Sequence, residues 1–260
     1  MNLELLTHKS ENKTHPTPIL FVHGAWHAAW CWEEHFLPYF ASQGWDCYAL
    51  SLRGHGGSEG HIRWASGADY VSDVAQIVEK IGTNPILVGH SMGGYVVQKY
   101  LENHAAPVGV LLASIPARGI LPFTLRMTAR HPLRMLQTMI FLDPYPLVGT
   151  IELMEEAFFS PGLPREKMEH YFHLIQTESF RIILDSLLLN LPHPNRLKTP
   201  LLVLGAANDR VFTVAEQHAT ARAYGTQAEF FPNMAHDMML EPGWLAVADR
   251  VTAWLTERGL

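Results

Sequence analysis

A serine flanked by glycines is the first feature of this sequence that could carry out chemistry. Residues 89–94 read Gly-His-Ser-Met-Gly-Gly, a G-x-S-x-G pattern with Ser91 at its centre. The pattern follows an apolar run at residues 85–89 and precedes a helical stretch at residues 95–102. A sharp turn from strand to helix strains the central serine and exposes its hydroxyl, and the glycines leave room for close approach. We therefore predict that Ser91 is a nucleophile.

A histidine and an acid that could activate this serine lie downstream. A free hydroxyl is a poor nucleophile at neutral pH until an imidazole removes its proton. Asp209 follows an apolar run at residues 200–205, and His236 follows another at residues 227–231. The order serine, acid, histidine, each on a loop after a strand, is the one that accompanies a serine on such a turn. We predict that His236 is the base and that Asp209 orients it.

Asp237 is a second carboxylate beside the predicted base. Side chains of adjacent residues usually point apart, so we expect Asp237 to be a surface carboxylate or to form a local loop bond. Taken singly, Asp209 could be a turn residue or helix cap, and His236 could be an ordinary histidine among the fifteen in the chain. The prediction therefore depends on their order along the chain.

Two backbone N–H groups could stabilise the oxyanion of a tetrahedral intermediate. One belongs to Met92, the residue directly after the predicted nucleophile. The other belongs to Ala25, in the loop after the apolar run at residues 18–23, where Gly24 allows the backbone to approach the site. For the His23 side chain we expect a structural hydrogen bond beneath this loop.

The elements that would position these groups are short apolar runs that alternate with helical patterns. Ser66 and Thr213 each begin a capping box, with an acidic residue three positions later. Alternation of this kind predicts an α/β fold, with a mostly parallel central sheet flanked by helices. The predicted strands lie at residues 18–23, 46–50, 85–89, 108–113, 200–205 and 227–231, and the main helices at 32–43, 66–81, 213–224 and 244–258.

Residues 116–195 interrupt this alternation. Strand-like runs are absent there, and nine of the chain's 17 prolines separate short helical patterns. We predict a core domain made of residues 1–115 and 196–260, with residues 116–195 inserted as a helical cap. Met and Phe side chains in this segment could line a substrate pocket or could simply pack against one another. The candidate substrate-binding residues are Trp26, Met127, Met139 and Phe158.

Composition excludes several other classes of function. The net charge of −6 comes from 25 acidic and 19 basic residues without long runs of one sign, so a nucleic-acid partner is not expected. The two cysteines, Cys31 and Cys47, are too few for a disulfide framework and are expected to be buried free thiols, which suits a cytoplasmic protein. Residues 1–18 are polar and lack the apolar stretch of a secretory signal, and no apolar run is long enough to cross a membrane.

Other motifs favour turns and packing over cofactor or metal sites. The glycines of residues 54–60 fail the G-x-G-x-x-G register at Glu59, so they are expected to form a turn after a strand. His23, His27, Cys31 and His35 have no spacing typical of metal ligands. We therefore expect no cofactor, no metal and a small-molecule ester as the partner, and the sequence leaves the oligomeric state open.

These motifs together resemble the α/β-hydrolase superfamily of serine hydrolases along nearly the whole chain. The loop at residues 23–32 resembles that of plant methylesterases and hydroxynitrile lyases. Residues 52–60, together with the Gly-His-Ser-Met-Gly-Gly turn, are more similar to monoacylglycerol lipases and bacterial carboxylesterases. Dehalogenases and epoxide hydrolases of this fold use an aspartate where this chain has Ser91. Hydroxynitrile lyases use a threonine in the first loop and a cap lysine, where this chain has Gly24 and only Lys167.

The resemblance and the residues together predict a cofactor-independent serine hydrolase that cleaves carboxylic esters. Its expected substrates carry apolar acyl groups, such as monoacylglycerol-like esters or methyl esters. Two alternatives remain open at this point. The same triad could act on another bond, as in carbon–carbon hydrolases, lactonases and acyltransferases, or the chain could be a non-catalytic receptor for a small ligand on the same fold.

Overall fold

A seven-stranded sheet forms the centre of the molecule in the computed structural model, which describes all 260 residues. The strand order is β1-β3-β2-β4-β5-β6-β7. β1 pairs antiparallel with β3, and every other pairing is parallel. This confirms the predicted α/β fold with a mostly parallel sheet. The strands are β1 (Leu5–His8), β2 (Ile19–Val22), β3 (Cys47–Leu50), β4 (Ile86–His90), β5 (Gly109–Leu112), β6 (Leu201–Ala206) and β7 (Ala228–Phe231).

Eleven α-helices lie between and after the strands. Two of them start at the predicted capping boxes, where Ser66 and Thr213 accept hydrogen bonds from the third residue of the helix. The helices are α1 (Trp30–Glu33), α2 (Phe36–Ser42), α3 (Gly67–Ile81), α4 (Met92–Leu101), α5 (Leu121–Arg130), α6 (Pro132–Phe141), α7 (Ile151–Phe158), α8 (Arg165–Leu174), α9 (Phe180–Leu184), α10 (Val214–Ala223) and α11 (Trp244–Thr256).

The sheet separates two apolar clusters, one on each of its faces. Alternate residues of a strand point to opposite faces. Along β2, Ile19 and Phe21 therefore belong to one cluster, while Leu20 and Val22 belong to the other. All four residues of β2 are fully buried. Burial on both faces explains why the central strands read as continuous apolar runs in the sequence.

The helix predicted at residues 32–43 is wrong, because the chain forms two short helices there. His35 has φ −132° and ψ −56°, which is not helical, and it separates α1 from α2. In one continuous helix, Pro38 would have to donate to the carbonyl of Glu34, and proline has no N–H group. Starting a new helix at Phe36 places Pro38 in a first turn, where no donor is needed.

The segment between β5 and β6 contains no strand and holds the helices α5 to α9. It also contains 3₁₀ turns at Tyr145–Leu147 and Pro194–Arg196 and a π-helical turn at Asp185–Leu189. Arg126 on α5 forms two hydrogen bonds with the Glu216 carboxylate on α10, which ties this segment to the sheet-flanking helices. The division into a core and a cap at residues 116–195 stays a prediction. None of the helices combines the length and the apolar composition needed to span a membrane.

Candidate active site

Ser91 lies at the turn between β4 and α4, with a backbone conformation that L-residues rarely adopt. Its φ is 50° and its ψ is −114°. The two neighbouring glycines are sterically required. A Cβ atom on Gly89 would lie 2.5 Å from the carbonyl oxygen of Gly93, and a Cβ on Gly93 would lie 2.2 Å from that of Val22. The turn therefore fits only where these two positions have no side chain.

Three predicted site residues meet at the carboxyl ends of β4, β6 and β7. The Nε2 atom of His236 lies 2.9 Å from the Ser91 hydroxyl oxygen. The Nδ1 atom of the same ring lies 2.9 Å from Oδ2 of Asp209. The imidazole can therefore donate from Nδ1 to the carboxylate while Nε2 accepts from the serine, which is the arrangement that removes a proton from a hydroxyl.

Backbone groups fix the orientation of Asp209. Its second carboxylate oxygen, Oδ1, accepts hydrogen bonds from the N–H groups of Val211 and Phe212 at 2.7 and 2.9 Å. Only Oδ2 remains for His236, and the carboxylate side chain is 1% exposed. The loop after β6 thus holds the acid in one position relative to the imidazole.

His236 itself is packed between rings. Phe158 lies nearly parallel to it, at 6.0 Å between centroids, and Phe212 contacts it edge-on at 5.6 Å. The His90 ring lies 4.8 Å away. Burial and the nearby His236 lower the pKa of His90 to about 3. His90 therefore stays neutral and does not compete with His236 for a proton.

The N–H groups of Met92 and Ala25 donate no hydrogen bond to a protein acceptor. Neighbouring bonds hold the Gly24–Ala25 peptide, because the carbonyl of Gly24 accepts from His23 Nδ1 at 2.8 Å. His23 Nε2 accepts in turn from the N–H of Leu52 at 3.1 Å, which is the structural bond expected beneath the loop. Burial lowers the pKa of His23 well below its usual range. The ring is therefore neutral, with Nδ1 as the donor and Nε2 as the acceptor.

Trp26 continues this loop in a left-handed conformation, with φ 65°. Its carbonyl accepts a hydrogen bond from the N–H of Gln176 at 2.9 Å, and its N–H faces the carboxylate of Glu178 at 3.4 Å. Both partners lie between α8 and α9. The helical segment therefore helps to hold the loop that carries the Ala25 N–H.

The expectation that Asp237 is a surface carboxylate is wrong. The side chain is fully buried, and its Oδ2 lies 2.9 Å from Nε2 of His27. No local pattern indicates this burial, because the partner lies 210 positions earlier in the chain. The same reasoning missed His90, whose Nε2 donates to the carbonyl of His236 at 3.0 Å.

A small apolar cavity of about 30 Å³ lies beside the three side chains, between α5, α7 and the loop after β6. Of the four candidate substrate-binding residues, Trp26, Met127 and Phe158 line it. Met139 does not, because it lies on the outer face of α6 and is 56% exposed. The remaining lining residues are Phe123, Arg130, His131, Leu147, Val148, Leu153, Glu156, Ala157, Arg210 and Val211.

The remaining residues considered from the sequence lie away from this cavity. Cys31 and Cys47 are buried free thiols, as predicted. His35 stacks on Trp244 with ring centroids 4.5 Å apart. Lys167 forms an ion pair with Glu34 at 2.6 Å. Lys167 therefore occupies a different region from the serine.

The fold and the grouping of serine, histidine and aspartate are those of an α/β hydrolase. The family model described as "Alpha/beta hydrolase family" matches residues 19–248. The chain therefore belongs to the alpha/beta hydrolase family.

Curated relatives and solved structures agree with this assignment. A pyrethroid hydrolase from Sphingobium wenxiniae is 26% identical over 226 residues, which are 80% of this chain and 76% of that protein. A monoacylglycerol lipase from Mycolicibacterium smegmatis is 26% identical over 241 residues, 85% of this chain and 82% of that protein. The crystal structure of the enol-lactonase from Burkholderia xenovorans covers 98% of this chain and 97% of its own, with a TM-score of 0.73 and 16% identity. That structural likeness shows the fold alone.

Proposed function

We propose that this chain is a cofactor-independent carboxylic ester hydrolase that acts through Ser91, His236 and Asp209. The observation that carries the proposal is the pair of 2.9 Å contacts that link the serine hydroxyl to the imidazole and the imidazole to the carboxylate. A hydroxyl bonded in this way to a buried, oriented imidazole is activated for attack on an acyl carbon.

In the first half of the reaction, the Ser91 oxygen attacks the ester carbonyl carbon while His236 Nε2 takes the hydroxyl proton. The carbonyl oxygen becomes an oxyanion, which the N–H groups of Ala25 and Met92 stabilise because neither has another partner. His236 then gives its proton to the leaving alkoxide, and the acyl group stays on Ser91. Asp209 holds the imidazole in the tautomer that this transfer requires.

In the second half, water replaces the alcohol. His236 removes a proton from the water, and the hydroxide attacks the acyl carbon. The oxyanion forms again between the same two N–H groups. Collapse of this intermediate breaks the bond to Ser91, and His236 returns the proton to the serine oxygen. The products are a carboxylic acid and the free enzyme, so the cycle needs no cofactor.

The apolar lining of the cavity supports esters with small to medium apolar acyl groups as substrates. Nine of its 13 lining residues are hydrophobic; among them, Phe158 packs on the His236 ring and Trp26 packs on Phe158. We propose that residues 116–195 act as a cap that forms much of this cavity, with Met127 and Phe158 contacting the acyl group. Monoacylglycerol-like esters and methyl esters both fall within this class.

The test is labelling by a fluorophosphonate probe combined with hydrolysis of p-nitrophenyl esters. Wild type should be labelled and active, and Ser91→Ala should lose both properties with its thermal melting unchanged. Ser42→Ala is the matched control, because Ser42 is an exposed serine that donates only to the carbonyl of Tyr39. Equal labelling of wild type and Ser91→Ala would contradict the assignment.

The bond that is cleaved is tested separately with a panel of ester, lactone and diketone substrates. We expect turnover of the esters because the triad supplies both a nucleophile and a proton for an alkoxide leaving group. Turnover of the diketones alone would overturn ester hydrolysis while leaving the triad in place. Binding of a small molecule without any turnover would instead support a receptor.

A further inference from the structure

A second buried group of polar side chains lies directly behind the proposed triad. It consists of His27, His90 and Asp237, whose side chains are between 0 and 2% exposed. Each member is close in sequence to a different part of the site. His27 follows Ala25 by two residues, His90 precedes Ser91, and Asp237 follows His236. The three segments that supply the proposed oxyanion donor, nucleophile and base are therefore also in contact through these buried side chains.

The hydrogen bonds of His27 determine where its protons lie. Its Nδ1 atom is 2.8 Å from the carbonyl oxygen of Ala25, which can only accept, so Nδ1 carries a hydrogen. Its Nε2 atom faces the carboxylate of Asp237 at 2.9 Å. One imidazole ring thus joins the loop after β2 to the loop after β7.

The charges of the pair favour an imidazolium facing a carboxylate. Burial is the largest single influence and opposes the charged form of His27, but the Asp237 carboxylate, the Ala25 carbonyl and Glu178 together raise the pKa of His27. Burial likewise opposes ionisation of Asp237, but His27, with smaller contributions from His90 and His236, lowers the pKa of Asp237. The other titratable groups coupled to the two side chains are His23, His90, His236, Glu178, Cys31 and Tyr171.

We propose that His27 and Asp237 form a positioning bridge, which holds the oxyanion loop and the histidine loop at one spacing so that Ala25 N–H and His236 act on the same intermediate. This inference rests on the proposed ester hydrolysis and adds two residues to it. Neither side chain touches the reacting atoms. The bridge acts through Ala25, whose carbonyl His27 holds, and through the backbone next to His236.

A metal site is the main alternative for this cluster, because ligand atoms of His90, His236 and Asp237 lie within 4.8 Å of one another. The hydrogen bonds oppose it. His90 Nε2 lies 3.0 Å from the carbonyl of His236, so it carries a hydrogen and cannot bind a metal there. Both ring nitrogens of His236 face Asp209 and Ser91. A positioning role, unlike metal binding, requires none of these hydrogen bonds to break.

Three variants at the bridge test the role with p-nitrophenyl butyrate as substrate. Asp237→Ala and His27→Ala should each lower kcat by about 10- to 100-fold, because small displacements of oriented groups cost factors of this size. KM should change by less than about twofold, since the bridge does not touch substrate. Asp237→Asn should keep kcat within about threefold of wild type, because the new amide can donate to Nε2 of a neutral His27.

The double variant His27→Ala/Asp237→Ala should be no slower than the slower single variant, because the two side chains form one unit. His170→Ala and Asp249→Ala are matched controls on exposed positions and should match wild type. All rates are expressed per active site, counted by fluorophosphonate titration, so that loss of folded protein does not count as loss of kcat. The bridge would be overturned if the kcat losses of the two single variants multiplied in the double variant. A kcat for Asp237→Ala within twofold of wild type would also overturn it.

A nitrogen NMR measurement separates failure of the bridge from failure of the proposed hydrolysis. Both ring nitrogens of His27 should be protonated in wild type at pH 6, and only one in Asp237→Asn. A singly protonated ring in wild type would overturn the ion pair, whatever the activity. If wild type is neither labelled nor active, the hydrolysis proposal fails together with the catalytic role of the bridge, while the ring signals still report the pair.

Discussion

At the scale of single residues, the serine depends on neighbours that have no side chain. Ser91 is held in its strained conformation by backbone bonds, since its N–H donates to Leu112 and its carbonyl accepts from Ile115, both at 3.0 Å. A conformation of this kind costs on the order of 1–3 kcal/mol, which the surrounding sheet must offset. Gly93 allows α4 to approach the end of β2 closely enough to do so.

Replacing Gly93 by alanine should therefore destabilise the fold strongly. The new Cβ would meet the backbone carbonyl oxygens of Val22 and His23 at 2.2 and 2.4 Å, and backbone cannot move aside as a side chain can. We expect a loss of about 3 kcal/mol or more in the free energy of unfolding, measured by urea denaturation.

Gly225→Ala is the control for this substitution. Gly225 has a positive φ of 69° but nothing within 4 Å of its Cβ position, so its cost is limited to backbone strain of about 1 kcal/mol. Equal losses in the two variants would show that steric contact at Gly93 does not decide the stability.

Site residues could be predicted from the sequence where a residue's position relative to a nearby strand identifies it. Asp209 and His236 could be chosen because each follows an apolar run in the expected order. His27 and Asp237 could not, because a polar residue signals burial only through its partner, and that partner is distant in the chain. Side-chain pairs of this kind become visible only once the sheet brings the loops together.

At the scale of elements, α5 and α6 contribute opposite surfaces to the segment between β5 and β6. α5 turns Phe123 and Met127 toward the cavity. α6 instead leaves Leu133 and Ile140 exposed at 74% and 64%. Composition could not distinguish the two helices, since both are rich in Met and Leu. The rotation of each helix about its axis depends on packing, which is why Met139 was assigned to the wrong surface.

Substitution to tryptophan should separate these two surfaces by function. Met127→Trp fills part of the cavity, so KM for p-nitrophenyl octanoate should rise about tenfold while KM for the acetate stays within about twofold. Met139→Trp is the control, because that side chain is exposed. Steady-state kinetics on both esters measure the effect. A uniform change in KM for both esters in Met127→Trp would contradict an acyl-binding role for the cavity.

The short elements show where sequence patterns fail for physical reasons. β1 was missed because it is a four-residue edge strand, whose half-exposed residues give no continuous apolar run. The split of α1 from α2 could have been inferred from Pro38. The capped starts of α3 and α10 were correct because a capping box is a local interaction that needs no distant partner.

At the scale of the whole molecule, buried histidines link stability to pH. His23 and His90 are at most 1% exposed, and burial lowers the pKa of both. A histidine whose pKa is lower in the folded state takes up a proton on unfolding. Each such histidine leaves the free energy of unfolding unchanged above the unfolded-state pKa of 6.5. As the pH falls from 6.5 toward the pKa of the folded state, each one lowers the free energy of unfolding by about 1.4 kcal/mol per pH unit.

We therefore expect the melting temperature to fall by about 5–10 °C between pH 6.5 and pH 5, since two such histidines act together. Scanning calorimetry in buffers of different ionisation heat would measure both the shift and the accompanying proton uptake. Between pH 7 and 8 these two histidines should contribute no slope. A melting temperature that is flat from pH 6.5 to pH 5 would contradict the neutral buried state of His23 and His90.

The strand order of the sheet also constrains how activity can arise during folding. β4 is central and β7 is at one edge, and the contact between Ser91 and His236 joins residues 145 positions apart. Contacts of such long range form only after large loops have closed. The contact between Ser91 and His236 forms once β4, β5, β6 and β7 are paired, so the proposed activity would report assembly of this half of the sheet. A refolding assay based on turnover would therefore follow the formation of these long-range contacts.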